Sequence, residues 1–303
     1  MILFRQMTVI GVGLIGGSLA LAAKRAGLVK TVVGYSKRRG DLYKAISMGV
    51  LDRCSLTLPK AVEEADLVVL ATPVGVFEPL ARAMASHLKK GAIVTDVGST
   101  KGDLVCQLEN CLSDKALFVG GHPMVGLQKS GVSSALPKFF DSSTAMLTPT
   151  SKTDPAALKK VAQLWKGVGA KVVEIDPYKH DQIMSVVSHL PHLLAYNLME
   201  LFNHPRVVRN SLSYAAGGLR DFTRIAESSP EMWHDIFRLN KKALFEAIDC
   251  YQETLEAFKK AIIEAKPREA DRNQNMGDRP AHGGDDLFKI LSRAKALREK
   301  IDQ

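Results

Sequence analysis

The sequence predicts an α/β protein in which an N-terminal doubly wound, mostly parallel sheet is followed by an all-α C-terminal domain. Short apolar runs typical of buried strands alternate with helical segments up to about residue 175. After Asp176 the strand signals stop and long helical periodicity takes over. We therefore predict a first domain over 1–176 and a helical domain over 177–303, in line with the two domains expected for 303 residues.

The elements of the first domain follow from near-continuous apolar runs, which are typical of parallel strands covered on both faces. Ligands of such sheets bind beyond the carboxyl ends of the strands. The segments 72–73, 96–99 and 121–123 follow strands and should therefore face one crevice. We predict strands over 7–10, 31–35, 66–73 (ending in a loop), 92–96, 118–120, 145–148 and 171–175, with helices over 15–26, 76–87, 101–112 and 156–167.

In the second domain the periodicity predicts helices over 180–202, 206–226 and 232–265. Residues 266–284 are rich in Pro, Gly, Asn and charge, which predicts a mobile loop. One apolar face then indicates a short amphipathic helix over 285–301.

A glycine-rich turn follows the first strand, and an Ala/Leu-rich helical stretch follows the turn. The order of strand, Gly-x-Gly-x-x-Gly turn and helix is typical of Rossmann-type dinucleotide binding, where the helix N-terminus favours a pyrophosphate. The alternative is a turn that binds nothing. The predicted cofactor-binding residues here are Gly11, Gly13, Leu14, Ile15 and Gly16. Because ligands bind beyond the carboxyl ends of parallel strands, we also predict Thr72 and Pro73 beside the nicotinamide ribose.

The end of the second strand bears on the choice of nucleotide. An acidic residue at this place would bind the ribose 2′-hydroxyl of NAD, but the sequence has Ser36 followed by Lys37, Arg38 and Arg39. A serine hydroxyl and basic side chains suit a 2′-phosphate. The sequence therefore favours NADP over NAD, while a solvated basic loop and use of either cofactor stay open.

Composition narrows the class of protein. The net charge of +9 is spread along the chain without a nucleic-acid-binding motif, so we expect anionic small molecules rather than nucleic acid as partners. No apolar run approaches the roughly 20 residues of a membrane helix, and no signal peptide precedes the first strand. The four cysteines lack metal spacing, which indicates reduced thiols in a cytoplasmic protein.

Five ordered motifs resemble the prephenate dehydrogenase family, which includes arogenate and cyclohexadienyl dehydrogenases. The resemblance implies NAD(P)-dependent oxidative decarboxylation of prephenate to 4-hydroxyphenylpyruvate, of arogenate to tyrosine, or of both, in tyrosine biosynthesis. It covers about residues 7–265. The motifs are Gly-Val-Gly-Leu-Ile-Gly-Gly-Ser at 11–18, Asp-Val-Gly-Ser-Thr-Lys at 96–101, Gly-His-Pro-Met-Val-Gly at 121–126 with Lys-Ser-Gly at 129–131, Ser-His-Leu-Pro-His at 188–192, and Gly-Gly-Leu-Arg-Asp-Phe-Thr-Arg-Ile-Ala at 217–226.

The resemblance implies catalytic roles for two residues at strand ends. His122 would accept the hydrogen bond of the substrate hydroxyl as a neutral imidazole, and the alternative is a structural histidine before Pro123. Ser99 would bond both that hydroxyl and His122, and it also suits a helix N-cap.

The substrate is expected to be a small cyclohexadienyl dicarboxylate. The resemblance makes His189 a substrate-binding residue, with His192 a packing histidine; we predict no metal, because no matching third ligand accompanies them. Arg224, with Arg220 one turn earlier and Asp221 as a partner, is the predicted carboxylate clamp, against the alternative of a salt-bridged surface. Gln128 stands where many members carry Glu, which leaves open the choice between prephenate and arogenate and any regulation by tyrosine.

Long apolar helices predict a homodimer formed through the helical domain. Two other functions stay open at this point: a β-hydroxyacid dehydrogenase of similar two-domain plan, and a nucleotide-sensing protein without catalysis. The first needs a helical lysine base in a comparable motif, which the sequence lacks. The second is disfavoured by the set of Ser99, His122, His189 and Arg224.

Overall fold

The computed structural model describes residues 1–112, 115–126, 130–265 and 286–301. In these residues the chain forms eight β-strands and twelve α-helices. The strands are β1 (Phe4–Ile10), β2 (Val29–Tyr35), β3 (Arg53–Ser55), β4 (Leu67–Leu70), β5 (Ala92–Asp96), β6 (Ala116–Met124), β7 (Thr144–Thr148) and β8 (Lys171–Glu174). The helices are α1 (Leu14–Arg25), α2 (Arg39–Ser47), α3 (Leu58–Val62), α4 (Phe77–Ala85), α5 (Gly102–Leu112), α6 (Pro155–Gly167), α7 (Pro177–Met184), α8 (Leu190–Glu200), α9 (Gly217–Thr223), α10 (Pro230–Leu239), α11 (Lys241–Glu264) and α12 (Asp286–Glu299).

The strands form one sheet in the order β3-β2-β1-β4-β5-β6-β7-β8. All neighbouring strands are parallel except β6 and β7. Alternate residues of β4 pack into different apolar clusters, with Leu67 and Val69 in one and Val68 and Leu70 in the other, so the sheet is covered on both faces. The predicted α/β fold is confirmed. The strand order reverses between β1 and β4, where such sheets bind ligands beyond the carboxyl ends.

The prediction for the first half differs from the structure in three unpredicted elements and in the end of one strand. The stretch 39–62 contains α2, β3 and α3, which the sequence does not predict because they are short and α2 buries only Leu42 and Ala45. Strand β6 does not end at Gly120 but continues to Met124 through antiparallel pairing with β7, which aligns His122 with Met146. His122 therefore lies within a strand, beyond the last β5–β6 pair at Thr95 and Val119.

The predicted helix over 206–226 is wrong. Asn210 has a positive φ of 64° and the segment contains only α9 and short 3₁₀ turns, because this left-handed residue and the extended backbone of Ala215 and Ala216 interrupt helical hydrogen bonding. The predicted helix over 180–202 is present as α7, a π-helical turn at Ser185–His189 and α8. The predicted helix over 232–265 is divided at Asn240 into α10 and α11.

The described chain separates into two compact units, Met1–Leu244 and Phe245–Gln303. The predicted domain boundary at residue 176 stays a prediction; Asp176 caps α7 there, since its carboxylate accepts hydrogen bonds from the N–H groups of Tyr178 and Lys179. The predicted mobile loop at 266–284 lies outside the described residues. None of the described helices combines the length and apolarity needed to cross a membrane.

Candidate active site

The glycine turn between β1 and α1 leaves room for a phosphate group. Gly11 has a φ of +96°, and a Cβ added there would lie 2.6 Å from the carbonyl carbon of Ala71. A Cβ on Gly16 would lie 2.4 Å from the Gly11 oxygen, so these glycines permit close packing. A Cβ on Gly13 would meet nothing within 4 Å, and no side chain caps α1. The residues present therefore fit a dinucleotide pyrophosphate at the N-terminus of α1.

The predicted ribose-binding residues lie between β2 and α2. The Ser36 hydroxyl accepts a hydrogen bond from the backbone N–H of Arg38 at 3.2 Å. Lys37, Arg38 and Arg39 are exposed, and within the described chain none of the three takes part in an ion pair. Their charges are available to an anion in solution. Thr72 and Pro73 lie just after the carboxyl end of β4, as the strand-end argument predicts.

His122 is held by a second histidine. Its Nδ1 lies 2.8 Å from Nε2 of His180 on α7, and Nδ1 of His180 lies 2.8 Å from the carboxylate of Asp181. The backbone N–H of Lys101 donates to the same carboxylate oxygen at 2.8 Å. The two imidazole rings meet edge to face, with centroids 5.1 Å apart. The side chains of β6 and α7 and the backbone after β5 thus form one connected network.

A buried ion pair between Lys101 and Asp96 is connected to this network. Lys101 Nζ donates to Asp96 at 2.6 Å, and each side chain is 1% exposed. The ammonium also donates to the carbonyl oxygens of Gly98 at 2.7 Å and Thr100 at 3.1 Å. The Asp96 carboxylate accepts from the N–H of Gly121 at 3.0 Å, which fixes the residue before His122.

The electrostatics keep the histidines neutral. Burial lowers the pKa of His122 well below its usual range, and the nearby His180, Lys101 and His189 lower this pKa further. Burial also lowers the pKa of His180, although its hydrogen bond to Asp181 opposes the shift. Burial lowers the pKa of His189 to about 4. At neutral pH, His122 is therefore an imidazole that can accept a proton.

His189 is held through Nδ1 by Asn240. The amide nitrogen of Asn240 donates to the carbonyl oxygen of Asp181 at 2.9 Å and lies 2.9 Å from Nδ1 of His189. Since that amide is a donor, Nδ1 accepts and Nε2 carries the proton. Nε2 is buried and makes no well-formed hydrogen bond among the described residues, although a hydrogen-bonding contact with the backbone of Ser99 partly opposes the lowering of the His189 pKa.

His192 packs rather than pairs with His189. Its ring stacks on Trp233 with centroids 3.8 Å apart, and its Nδ1 lies 2.9 Å from the Ser188 carbonyl oxygen. In the described part of the chain there is no cluster of three residues with metal-binding side chains.

Ser99 and the predicted arginine clamp differ in part from expectation. Among the described hydrogen bonds none joins Ser99 to His122, whose orienting partner is His180; a contact of Ser99 with substrate stays a prediction. Arg220 lies on α9, while Arg224 begins the 3₁₀ turn that follows. Both arginines are exposed, and neither pairs with Asp221 in the described chain. Gln128 lies outside the described residues.

Two family models match the chain. The nucleotide-binding domain of prephenate dehydrogenase matches residues 19–174, and its dimerization domain matches residues 176–274. The chain belongs to the prephenate dehydrogenase family. The family predicted from the five motifs is therefore confirmed, and the β-hydroxyacid dehydrogenase and nucleotide-sensing alternatives gain no support.

Individual relatives agree with this family. A prephenate dehydrogenase of Bacillus subtilis is 40% identical over 248 residues, which are 79% of this chain and 65% of the relative. A cyclohexadienyl dehydrogenase of Zymomonas mobilis is 33% identical over 264 residues, 86% of this chain and 90% of the relative. The crystal structure of A. aeolicus prephenate dehydrogenase with hydroxyphenyl propionate and NAD+ has a TM-score of 0.87 and 36% identity, and covers 98% of both chains. The chain thus spans slightly less than two thirds of the Bacillus relative.

Proposed function

We propose that this protein catalyses the NAD(P)-dependent oxidative decarboxylation of prephenate to 4-hydroxyphenylpyruvate, of arogenate to tyrosine, or of both. The observation that carries the proposal is His122, which is buried, neutral and held through Nδ1 at the sheet edge that also carries the glycine turn. The relatives named above and the A. aeolicus complex with NAD+ support the same chemistry.

The reaction needs a base that takes the proton of the ring hydroxyl and one acceptor for the hydride of the carbinol carbon. His122 takes the hydroxyl proton on Nε2 while the carbinol carbon becomes a carbonyl. A nicotinamide cofactor held at the glycine turn would supply the acceptor for that carbon's hydride. The bond to the ring carboxylate then breaks, its electron pair makes the ring aromatic and the carbonyl oxygen becomes a phenolate. His122 returns its proton to this phenolate, so carbon dioxide is released without net gain or loss of a proton.

The function is tested by mixing the purified protein with prephenate or arogenate and with NAD or NADP, and following absorbance of the reduced nicotinamide. We expect turnover with at least one of the four combinations. Release of carbon dioxide in equal amount to the reduced cofactor distinguishes oxidative decarboxylation from simple alcohol oxidation. Absence of turnover in all four combinations would contradict the proposal.

We also propose that Arg224, with Arg220, binds a substrate carboxylate and that His189 donates to the substrate through Nε2. Both guanidinium groups are exposed and form no ion pair within the described ranges, and the His189 Nε2 is buried without a well-formed hydrogen bond there, which supports these roles. Arg224→Ala should raise the KM for substrate by roughly tenfold or more, because a charge-assisted hydrogen bond contributes about 1.5–3 kcal/mol. Steady-state kinetics measure this effect. Arg25→Ala removes an exposed arginine from the last turn of α1 as a control, and an unchanged KM in R224A would refute the clamp.

We infer that NADP is favoured over NAD, with Ser36 and the residues 37–39 around the 2′-phosphate. Ser36→Asp places a carboxylate where it repels this phosphate and accepts from the ribose hydroxyl of NAD. The ratio of kcat/KM for NADP to that for NAD should fall by about tenfold or more. Ser47→Asp, which adds the same charge at the far end of α2, is the control. A ratio unchanged in S36D would contradict this cofactor site.

We further propose a homodimer formed through the helical domain. The second family model is described as a dimerization domain. Large apolar side chains also lie exposed along α11, which supports a protein interface; they include Phe245, Leu255, Ile262 and Ile263.

A further inference from the structure

We propose that Asp181 and His180 are positioning residues that hold His122 in the tautomer with its proton on Nδ1, so that Nε2 is the proton acceptor in the reaction. The inference rests on the proposed function for the role of Nε2. Both residues lie outside the five sequence motifs that resemble the family. The observation behind it is the unbroken hydrogen-bond series from a carboxylate through two imidazoles.

The direction of each hydrogen bond follows from the end of the series. An ionised carboxylate only accepts, so Nδ1 of His180 donates to Asp181. A neutral His180 then has a lone pair on Nε2, which accepts from Nδ1 of His122. Nε2 of His122 is left with a lone pair. Acting through the two hydrogen bonds of His180, the Asp181 carboxylate thus determines which nitrogen of His122 is basic.

The surroundings of the series favour this arrangement. The backbone N–H of Lys101 donates to the same Asp181 oxygen that His180 uses, which helps to hold the carboxylate in place. The groups facing the imidazoles are the cation of Lys101, the carboxylates of Asp181 and Asp96, and His189. His180 has no exposed surface, so water does not compete for its nitrogens.

The series also has a role once His122 has taken the substrate proton. His122 is then a cation with protons on both nitrogens, and its Nδ1–H keeps the bond to His180. The hydrogen bond between His180 and Asp181 polarises the second imidazole toward this cation. His180 therefore contributes to turnover through His122 and does not itself touch the substrate.

The tautomer is tested directly in the unmodified protein by NMR of ¹⁵N-histidine-labelled material, with ring resonances assigned through bonds to the backbone. We expect His122 to carry its proton on Nδ1 at neutral pH. A proton on Nε2 would overturn the proposal. This measurement needs no turnover, so it remains decisive even if the assay with prephenate and arogenate fails and the proposed function falls.

Kinetics of two substitutions at one position give the second test. His180→Leu removes the acceptor for Nδ1–H and should lower kcat by about 10²-fold, with KM for substrate and cofactor changed by less than about threefold. His180→Gln offers an amide oxygen as acceptor and should recover at least roughly tenfold of the loss. His87→Leu, at an exposed histidine, is the control. A kcat in H180L within about threefold of the unmodified protein, or no recovery in H180Q, would overturn the proposal.

Discussion

Replacement of His122 by asparagine is expected to lower kcat by about 10³-fold, because a positioned general base contributes roughly 10²–10⁴ to the rate. Asparagine can keep a hydrogen bond to His180, but its amide cannot take a proton. The dissociation constant for the cofactor should stay nearly unchanged, since the glycine turn is unaltered. Steady-state assays and fluorescence titration with the reduced cofactor measure the two quantities.

The pH profile provides an independent test of His122. Its depressed pKa means that the imidazole is neutral, and competent as a base, through the ordinary histidine range. Activity should therefore stay level as pH falls through 6.5, the usual value for histidine, and decline only below it.

His87→Asn is the matched control for His122→Asn, because it makes the same change at an exposed histidine. Turnover of H122N within about tenfold of the unmodified protein would remove His122 from the mechanism.

Replacement of Lys101 by methionine is expected to lower the free energy of unfolding by about 3–5 kcal/mol, because it leaves the Asp96 carboxylate buried without its cation. The carbonyl oxygens of Gly98 and Thr100 lose a donor as well. Equilibrium unfolding in urea measures the change. Lys24→Met breaks a partly exposed pair with Asp52 and should cost about 1 kcal/mol or less.

A second substitution separates the charge from the packing at this position. In the double variant D96N/K101M the unpaired charge is gone, so the free energy of unfolding should exceed that of K101M alone. Together with the single variant D96N, these measurements complete a double-mutant cycle that gives the coupling energy between the two side chains. Equal stability of K101M and the unmodified protein would show that the buried pair does not hold the β5 end in place.

The sequence predicts the part of this site that local patterns encode. A strand, a glycine turn and a helix are adjacent in the chain, so the strand, turn and first helix around Gly11–Gly16 could be predicted from spacing alone. The partner of His122 lies 58 residues away on α7, and no periodicity records that contact. His180 and Asp181 do fall in the predicted helix, but only the packing of α7 against the β5 end brings them to β6. The predicted helix over 206–226 is wrong because helical spacing of apolar residues does not reveal the left-handed backbone of Asn210 or the extended backbone of Ala215 and Ala216.

Asn240, which lies between α10 and α11, contacts two residues with different proposed roles, His189 and Asp181. Its one amide nitrogen serves both His189 and the backbone of Asp181. The histidine proposed to bind the substrate and the aspartate proposed to orient the base therefore contact the same side chain. If both proposed roles hold, a substitution of Asn240 changes substrate binding and proton transfer together.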